Sequence, residues 1–292
     1  MAITESDLEI YKRLRSYMHE RGIRIVTIAS NATIGSNVNI YHLARYVPLT
    51  MDGIRSVTYD NRGVNRIVRS IIPIKAKNPA KRAFFNQTTV RIKPKTDPSA
   101  DEINVKVFQN DSLQITGCKD MEDFFDVLET LKEILKNGVT TEIGGKETHV
   151  QFAVTPENLK IDNIIIRLIV SCFSLGYNVD RRHLSYILKK KHSLRSTDSY
   201  LGYVKFKNGS NSKHSCVNIK YFHDDKTTIS AFIFYTGSVI ITAAQTLPQI
   251  IATYEYVMKI VTRYKEDIRV YEYDNDVIQF MMNDYQQGIK RF

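Results

Sequence analysis

Residues 33–43, TIGSNVNIYHL, recur later in the chain as residues 174–184, SLGYNVDRRHL. A glycine, an asparagine, a valine, a histidine and a leucine coincide at a constant offset of 141 residues. A second pair, VFQNDSLQIT at 107–116 and IFYTGSVIIT at 233–242, follows in the same order at an offset of 126. Two ordered matches predict an internal duplication, with copies at about residues 24–138 and 163–264.

Each copy has the same predicted order of secondary structure. Stretches rich in β-branched residues predict strands at 25–32, 88–92, 104–108 and 113–116 in the first copy and at 164–173, 217–222, 229–234 and 239–242 in the second. A short helix begins after Asn39 or Asp180, because both side chains are good N-caps. A long amphipathic helix closes each copy; Gly138 ends the first, and the capping box 246–249 begins the second. This order predicts an α+β fold, with helices on one face of an antiparallel sheet and the other face free.

The duplication also predicts the domain organisation. The predicted segments are an N-terminal helical extension at 1–22, repeat 1 at 23–140, a linker at 141–162, repeat 2 at 163–265 and a C-terminal helical extension at 266–292. Apolar residues at helical spacing place a helix at 5–20 in the N-terminal extension, and a second helix is predicted at 276–288 in the C-terminal extension. Clusters of lysine and arginine predict basic loops at 75–82 and 189–192.

Composition and charge limit the class of protein. The chain has 292 residues, 43% hydrophobic and 25% charged, as in an ordinary globular protein. Lysine and arginine number 41 against 31 acidic residues, and the resulting charge of +10 favours a polyanionic partner. The three cysteines lack paired spacing, no apolar run is long enough to span a bilayer, and no signal-peptide pattern opens the chain. The sequence therefore predicts a soluble intracellular protein without disulfides.

Candidate catalytic and metal-binding patterns are weak. His214, Cys216 and His223 lie close in sequence, but no fourth zinc ligand is evident. The segment GGKET at 144–148 lacks the first glycine and the spacing of a phosphate-binding loop. No arrangement of serine, histidine and carboxylate indicates a nucleophile or a general acid. The sequence therefore predicts a binding protein with no cofactor or metal rather than an enzyme.

Four ordered motifs resemble the core of the TATA-box-binding protein family. They are FNQTTVRIKP at 85–94, NVKVF at 104–108, TGCK at 116–119 and IFYTGSVIITAA at 233–244. The chain is most similar to the TATA-box-binding-protein-like proteins of large nucleocytoplasmic DNA viruses, over about residues 25–264. The resemblance implies a duplicated saddle with helices on its convex face and DNA bound by its minor groove on the concave face.

The resemblance also implies which side chains contact DNA. Phenylalanine wedges that separate base steps correspond to Phe85, Phe108 and Phe234, and the fourth wedge falls at His214 or Tyr200. The other implied contacts are the basic phosphate-contacting residues Arg91 and Lys220, the groove-contacting Thr116 and Thr242, and Lys119. The family's base-reading asparagine falls at Thr27 in the first copy and near Arg167 or Leu168 in the second, so neither copy keeps it.

Two functions follow from these residues. The first is a transcription initiation factor that binds and bends A/T-rich promoter DNA and recruits a transcription-factor-IIB-like protein and RNA polymerase. Such a factor would act in the host nucleus or a cytoplasmic viral factory, or be packaged in the virion. The alternative is a protein-interaction scaffold that has lost DNA binding, which the missing asparagines and the incomplete fourth wedge favour. A nucleic-acid enzyme built on this fold is a weaker third interpretation, because no catalytic group is evident.

Overall fold

Strands and helices follow the order predicted for a duplicated α+β chain. The computed structural model describes residues 5–61, 65–73, 86–95, 101–191, 216–224 and 226–271. Its elements up to the second copy are α1 (Glu5–Glu20), β1 (Arg24–Thr33), α2 (Ile40–Tyr46), β2 (Ile54–Asn61), β3 (Asn65–Ser70), β4 (Gln87–Ile92), β5 (Ile103–Phe108), β6 (Ser112–Cys118), α3 (Met121–Asn137), β7 (Val139–Ile143), β8 (Lys146–Val150) and a 3-10 turn (Pro156–Asn158). The second copy contains β9 (Asp162–Ser174), β10 (Asn178–Val179), α4 (Arg181–Lys191), β11 (Val217–Phe222), β12 (Thr228–Ile233), β13 (Ser238–Ala244), α5 (Leu247–Arg263), α6 (Lys265–Ile268) and β14 (Arg269–Val270).

Antiparallel strands form the framework of two compact units. The first unit comprises residues 1–172 with 242–250, and the second comprises residues 173–241 with 251–292. In the first unit, neighbouring strands hydrogen-bond in the order β9-β1-β6-β5-β4-β2-β3. In the second unit the order is β11-β12-β13, and a separate pair joins β10 to β14. The predicted α+β class is confirmed, and β2 with β3 adds two strands that the sequence analysis did not identify.

Equivalent backbone hydrogen bonds recur in the two copies. The donor–acceptor pairs are Ile34–Asp111 and Leu175–Gly237, then Val38–Gln109 and Val179–Tyr235, at 2.7 to 3.1 Å. Each donor shifts by 141 residues and each acceptor by 126, which are the two offsets found in the sequence. The predicted N-caps also match, because the carboxamide of Asn39 accepts from His42 N and the carboxylate of Asp180 accepts from His183 N, both at 3.0 Å.

The last strand of each copy bends at the same position. In β6 and β13 the buried and partly exposed residues alternate in the same phase until the second-to-last residue. That residue is Gly117 in the first copy and Ala243 in the second, with φ of 108° and 71°. Left-handed backbone at this place turns the final residue, Cys118 or Ala244, back into the core.

A hairpin distinguishes the first copy from the second. The long helices end at Asn137 and Arg263, which are 126 residues apart. The next equivalent pair is Ala153 and Arg269, because Ala153 forms a bridge with Val38 and Arg269 pairs with the equivalent Val179. These two residues are only 116 apart. The first copy therefore contains ten extra residues in this stretch, which holds the hairpin β7–β8 at residues 139–150. The hairpin begins two residues before the predicted linker at 141–162. Its turn uses Gly144 and Gly145, both at positive φ, so the GGKET segment is a hairpin tip.

Two further sequence predictions have clear outcomes. The predicted N-terminal helix is confirmed as α1, and Met18 from this helix is buried. The predicted basic loop at 189–192 is wrong for residues 189–191, which form the last turn of α4. The buried stripe of Leu184 and Leu188 explains the difference, because it carries the helix past the lysines. The predicted basic loop at 75–82 and the predicted helix at 276–288 lie outside the described residues.

Candidate nucleic-acid interface

The sheet of the first unit has one buried face and one partly exposed polar face. Val90, Val105 and Ile115 on β4, β5 and β6 are fully buried, and their neighbours in sequence point to the other side. Those neighbours are Gln87, Thr89, Arg91, Asn104, Lys106, Phe108, Ser112, Gln114 and Thr116. We call this set the open face of the first unit. Three predicted contacts, Arg91, Phe108 and Thr116, lie on it.

Phe108 lies at the end of β5, where the ring is only partly buried. It lines a pocket on the sheet together with Asn31, Gln114, Ile165 and Arg167. Ile165 on β9 is 45% exposed, a high fraction for an isoleucine. An aromatic ring and an aliphatic side chain thus face outward at one end of the open face. Phe85, the predicted companion wedge, lies outside the described residues.

Phe234 occupies the corresponding position in the second copy, 126 residues after Phe108. It follows directly on β12 and is also partly buried. A tight turn fixes its backbone, because Phe234 N donates to Ser238 O at 2.9 Å and Gly237 N donates to Phe234 O at 3.1 Å. Both candidates for the fourth wedge, His214 and Tyr200, lie outside the described residues.

Carboxylates hold the predicted cationic contacts of the first copy. Arg91 Nη2 lies 3.4 Å from Glu102 Oε2, and Arg55 Nη1 lies 3.1 Å from Glu102 Oε1. Lys119 Nζ lies 3.1 Å from Asp101 Oδ2. The two acidic residues are adjacent in sequence and immediately precede β5, so one short segment partly neutralises both of these predicted DNA contacts.

The second copy replaces this ion pair with a neutral contact. Lys220 on β11 donates to the hydroxyl of Ser230 on β12. The register pairs Lys220 with Ser230 just as it pairs Arg91 with Asn104, so the two cations are structurally equivalent. Thr228 stands 126 residues after Glu102, and a threonine there brings no negative charge.

The predicted groove-contacting threonines occupy equivalent positions. Thr116 in β6 and Thr242 in β13 are partly exposed, and each directly precedes the left-handed residue of its strand. Thr27, which stands at the family's asparagine position, has its hydroxyl engaged within the sheet, because it accepts from Gly117 N at 3.1 Å. The hydroxyl therefore stabilises the bend of β6.

Sequence reasoning missed a polar pair on strands β1 and β9. With the carboxamide of Asn31 turned so that both of its polar groups find a partner, Oδ1 accepts from Arg167 Nε at 3.3 Å and Nδ2 donates to Ser30 O at 3.1 Å. The side chains of Asn31 and Arg167 line the same pocket as Phe108. The two-residue period of a strand was the available signal. Side chains alternate between the two faces of β1, so Asn31 lies on the face opposite to that of Ser30 and Ala32, which are buried.

Other sequence candidates do not form a site. Among the described residues, no group of three or more histidine, cysteine or acidic side chains is arranged to hold a metal ion. Cys216 and His223 are described, and His214 is not. Within the same ranges, no helix is long and apolar enough to cross a membrane.

Comparison with known proteins identifies the family. A protein named TATA-box-binding protein-like, from Acanthamoeba polyphaga mimivirus, is 39% identical over 282 residues, which cover 96% of this chain and 76% of that protein. This chain belongs to the TATA-box-binding protein-like family. No protein-family model matches it. A solved structure of the TATA-box-binding protein of Methanococcus jannaschii aligns with a TM-score of 0.46 and 14% identity, covering 82% of this chain and 98% of that one.

Proposed function

We propose that this family member is a transcription initiation factor that binds promoter DNA through the minor groove and bends it. The observation that carries the proposal is the equivalence of Phe108 and Phe234. Both rings are partly exposed at the end of the same strand in each copy, and buried valine or isoleucine precedes each of them. The core phenylalanines Phe124 and Phe152 are fully buried, in contrast to these two rings.

The proposed mechanism inserts the two rings between base steps. Unstacking costs a few kcal/mol per step, and the bent duplex offsets it by contacting more of the protein surface. Thr116 and Thr242 then offer small hydroxyl-bearing side chains to the groove floor, and Arg91 and Lys220 reach the phosphates. Arg167, steadied by Asn31, supplies donors to the N3 and O2 acceptors that every base pair presents in the minor groove.

The proposal further includes assembly on the DNA. We infer recruitment of a transcription-factor-IIB-like protein and RNA polymerase from family membership. The preference for A/T-rich DNA follows from deformability, because the TA steps that such DNA can contain are flexible and are easily kinked or unstacked. Base reading by paired asparagines is not part of the proposal, since Thr27 stands at that position.

Binding and bending of labelled duplexes, followed by fluorescence energy transfer over a salt series, tests the proposal. We expect tighter binding and stronger bending on A/T-rich than on G/C-rich duplexes. Phe108→Ala and Phe234→Ala should each abolish most of the bending while leaving part of the affinity, because the phosphate contacts remain. Phe125→Ala is the matched control, since Phe125 is a partly buried ring on α3. Unchanged bending in both wedge variants would contradict the assignment.

A second candidate function is the protein-interaction scaffold without DNA binding. The pairing of Arg91 with Glu102 and of Lys119 with Asp101 favours it, because these cations already have acidic partners. The scaffold predicts no measurable affinity for either duplex at about 50 mM salt, where non-specific phosphate binding is strong. Salt-dependent binding of any duplex would reject it.

A further inference from the structure

The exposed side of α4 carries a dense positive charge that the proposed DNA interface does not use. Its exposed residues are Arg182, His183, Tyr186, Lys189 and Lys190, which we call the basic face of α4. They recur at the spacing of one helical stripe and span about 12 Å along the axis. The helix sequence, RRHLSYILKKK, contains no acidic residue.

The fold does not require these cations. The equivalent helix of the first copy, α2, is four residues shorter, with 7 residues against 11. At an offset of 141, Tyr41 stands in place of Arg182, and Pro48 stands in place of Lys189. Both helices share the same N-cap geometry and the same buried leucine after the histidine, so packing is conserved and charge is not.

An aromatic ring lies in the middle of the basic face. Tyr186 is 57% exposed, and Lys190 Nζ lies 3.1 Å from its hydroxyl and 5.4 Å from its ring centroid. The ring of His183 packs against its edge, with centroids 6.3 Å apart. Exposed tyrosine among cations is typical of surfaces that dock another polypeptide, where tyrosine and arginine contribute most of the binding energy.

The basic face lies on the side of α4 that is turned away from β11, the strand that carries Lys220. The opposite side of α4 is buried, through Leu184 and Leu188, and α4 contacts β11. On β11 the buried residue Tyr221 packs against Tyr256 of α5, whereas its neighbour Lys220 faces the other side of the strand. A duplex held on the side of Lys220 would therefore leave the basic face of α4 accessible to a second ligand.

We propose that the basic face of α4 docks an acidic polypeptide segment that contains an aromatic or aliphatic side chain. Carboxylates would pair with Arg182, Lys189 and Lys190, and the apolar side chain would pack on Tyr186. A duplex backbone fits less well, because its hydrated phosphates offer nothing apolar to the tyrosine ring. This inference goes beyond the proposed DNA binding and does not depend on it.

Binding of fluorescent glutamate–tyrosine copolymer to the full chain tests the proposal, with polyglutamate of equal length as the comparison probe. We expect the copolymer to bind more tightly than polyglutamate. Lys189→Glu with Lys190→Glu should weaken copolymer binding about tenfold or more. Tyr186→Ala should remove the preference for copolymer over polyglutamate, and it provides a variant that leaves the charge unchanged.

The matched control is Lys12→Glu with Arg13→Glu on α1, because both residues are exposed and the change in net charge is the same. Equal weakening by the two double variants would overturn the proposal, since it would show attraction by net charge alone. A larger loss of duplex affinity in the α4 variant than in the control would also overturn it, and would assign the face to DNA. Failure of the wild type to bind any duplex would reject the proposed function and leave the copolymer result to decide this proposal.

Discussion

Glu102 lies between two arginines and holds Arg91 on the open face of the first unit. Its two carboxylate oxygens lie 3.4 Å from Arg91 Nη2 and 3.1 Å from Arg55 Nη1. Its side chain and that of Arg55 are largely buried, so the pair is more than a surface contact. Thr228 at the equivalent position leaves Lys220 without such a carboxylate partner in the described part of the second copy. The positive charge that is available to DNA phosphates therefore differs between the two copies.

Replacing Glu102 should strengthen DNA binding under the proposed function. In Glu102→Gln, Arg91 no longer faces a carboxylate and becomes available to a phosphate. We expect tighter binding at low salt and a steeper decrease of log K with log salt, by about one unit of slope. Glu147→Gln on the exposed strand β8 removes the same charge elsewhere and serves as the control. An equal gain in both variants would show a net-charge effect and would contradict the local explanation.

The turn after Phe234 should tolerate substitution poorly. A Cβ on Gly237, at φ 74°, would lie 2.1 Å from the carbonyl oxygen of Tyr177. Gly176 has a similar φ of 78°, but a Cβ added to it would meet no atom within 4 Å. Gly176→Ala should therefore cost only the backbone strain, about 1 kcal/mol, whereas Gly237→Ala should cost about 2–4 kcal/mol. Urea unfolding of both variants measures the difference, and equal costs would contradict the expected clash with Tyr177.

Cys118 should react far more slowly with alkylating reagents than Cys172. The Cys118 side chain is fully buried, and burial, aided by the nearby Asp123 carboxylate, raises the pKa of its thiol to about 12. At pH 8 the reactive thiolate form of Cys118 would be present in about one molecule in 10,000. Mass spectrometry after timed labelling should find Cys172 modified first and all three cysteines modified in urea. Equal rates for Cys118 and Cys172 in the folded protein would contradict the prediction.

Tyr11 should make the stability of the folded chain decrease above pH 10. Burial, with a smaller effect of the Asp120 carboxylate, raises the pKa of Tyr11 from 10.0 to about 12. The unfolded chain therefore loses this proton first, so the contribution is present below pH 10 and is lost as pH rises towards 12. The loss should be about 1 kcal/mol, because the partly exposed ring is screened by solvent.

Tyr11→Phe isolates this effect from the other tyrosines. Its unfolding free energy should decrease less than that of the wild type between pH 9.5 and 11.5. Parallel pH curves for the two proteins would show that Tyr11 does not ionise differently in the folded state. The ion pair of Arg15 with Asp120, at 3.0 Å, is kept in this variant and keeps α1 against the start of α3.

The amino-acid sequence determined the duplication and the family. Periodic patterns and local caps predicted β1, α3 and α5, because strand alternation, helical stripes and N-caps act over a few residues. The recurrence of GxNV with its histidine and leucine fixed the two offsets that the backbone hydrogen bonds repeat. The position of Phe108 and Phe234 at matching strand ends also followed from those offsets. The DNA contacts assigned to them stay predictions.

Only the tertiary structure decided which side chains meet across strands. Asn31 and Arg167, which meet across strands β1 and β9, are 136 residues apart in sequence. Glu102 and Arg55, which form an ion pair, are 47 residues apart. Local patterns contain no information about such contacts, because they depend on register and bulges across the whole sheet. For the same reason the sequence showed the charges of Arg91 and Lys220 but not their partners, and packing of the apolar stripe on α4 decided that the lysines at 189–191 form a helix.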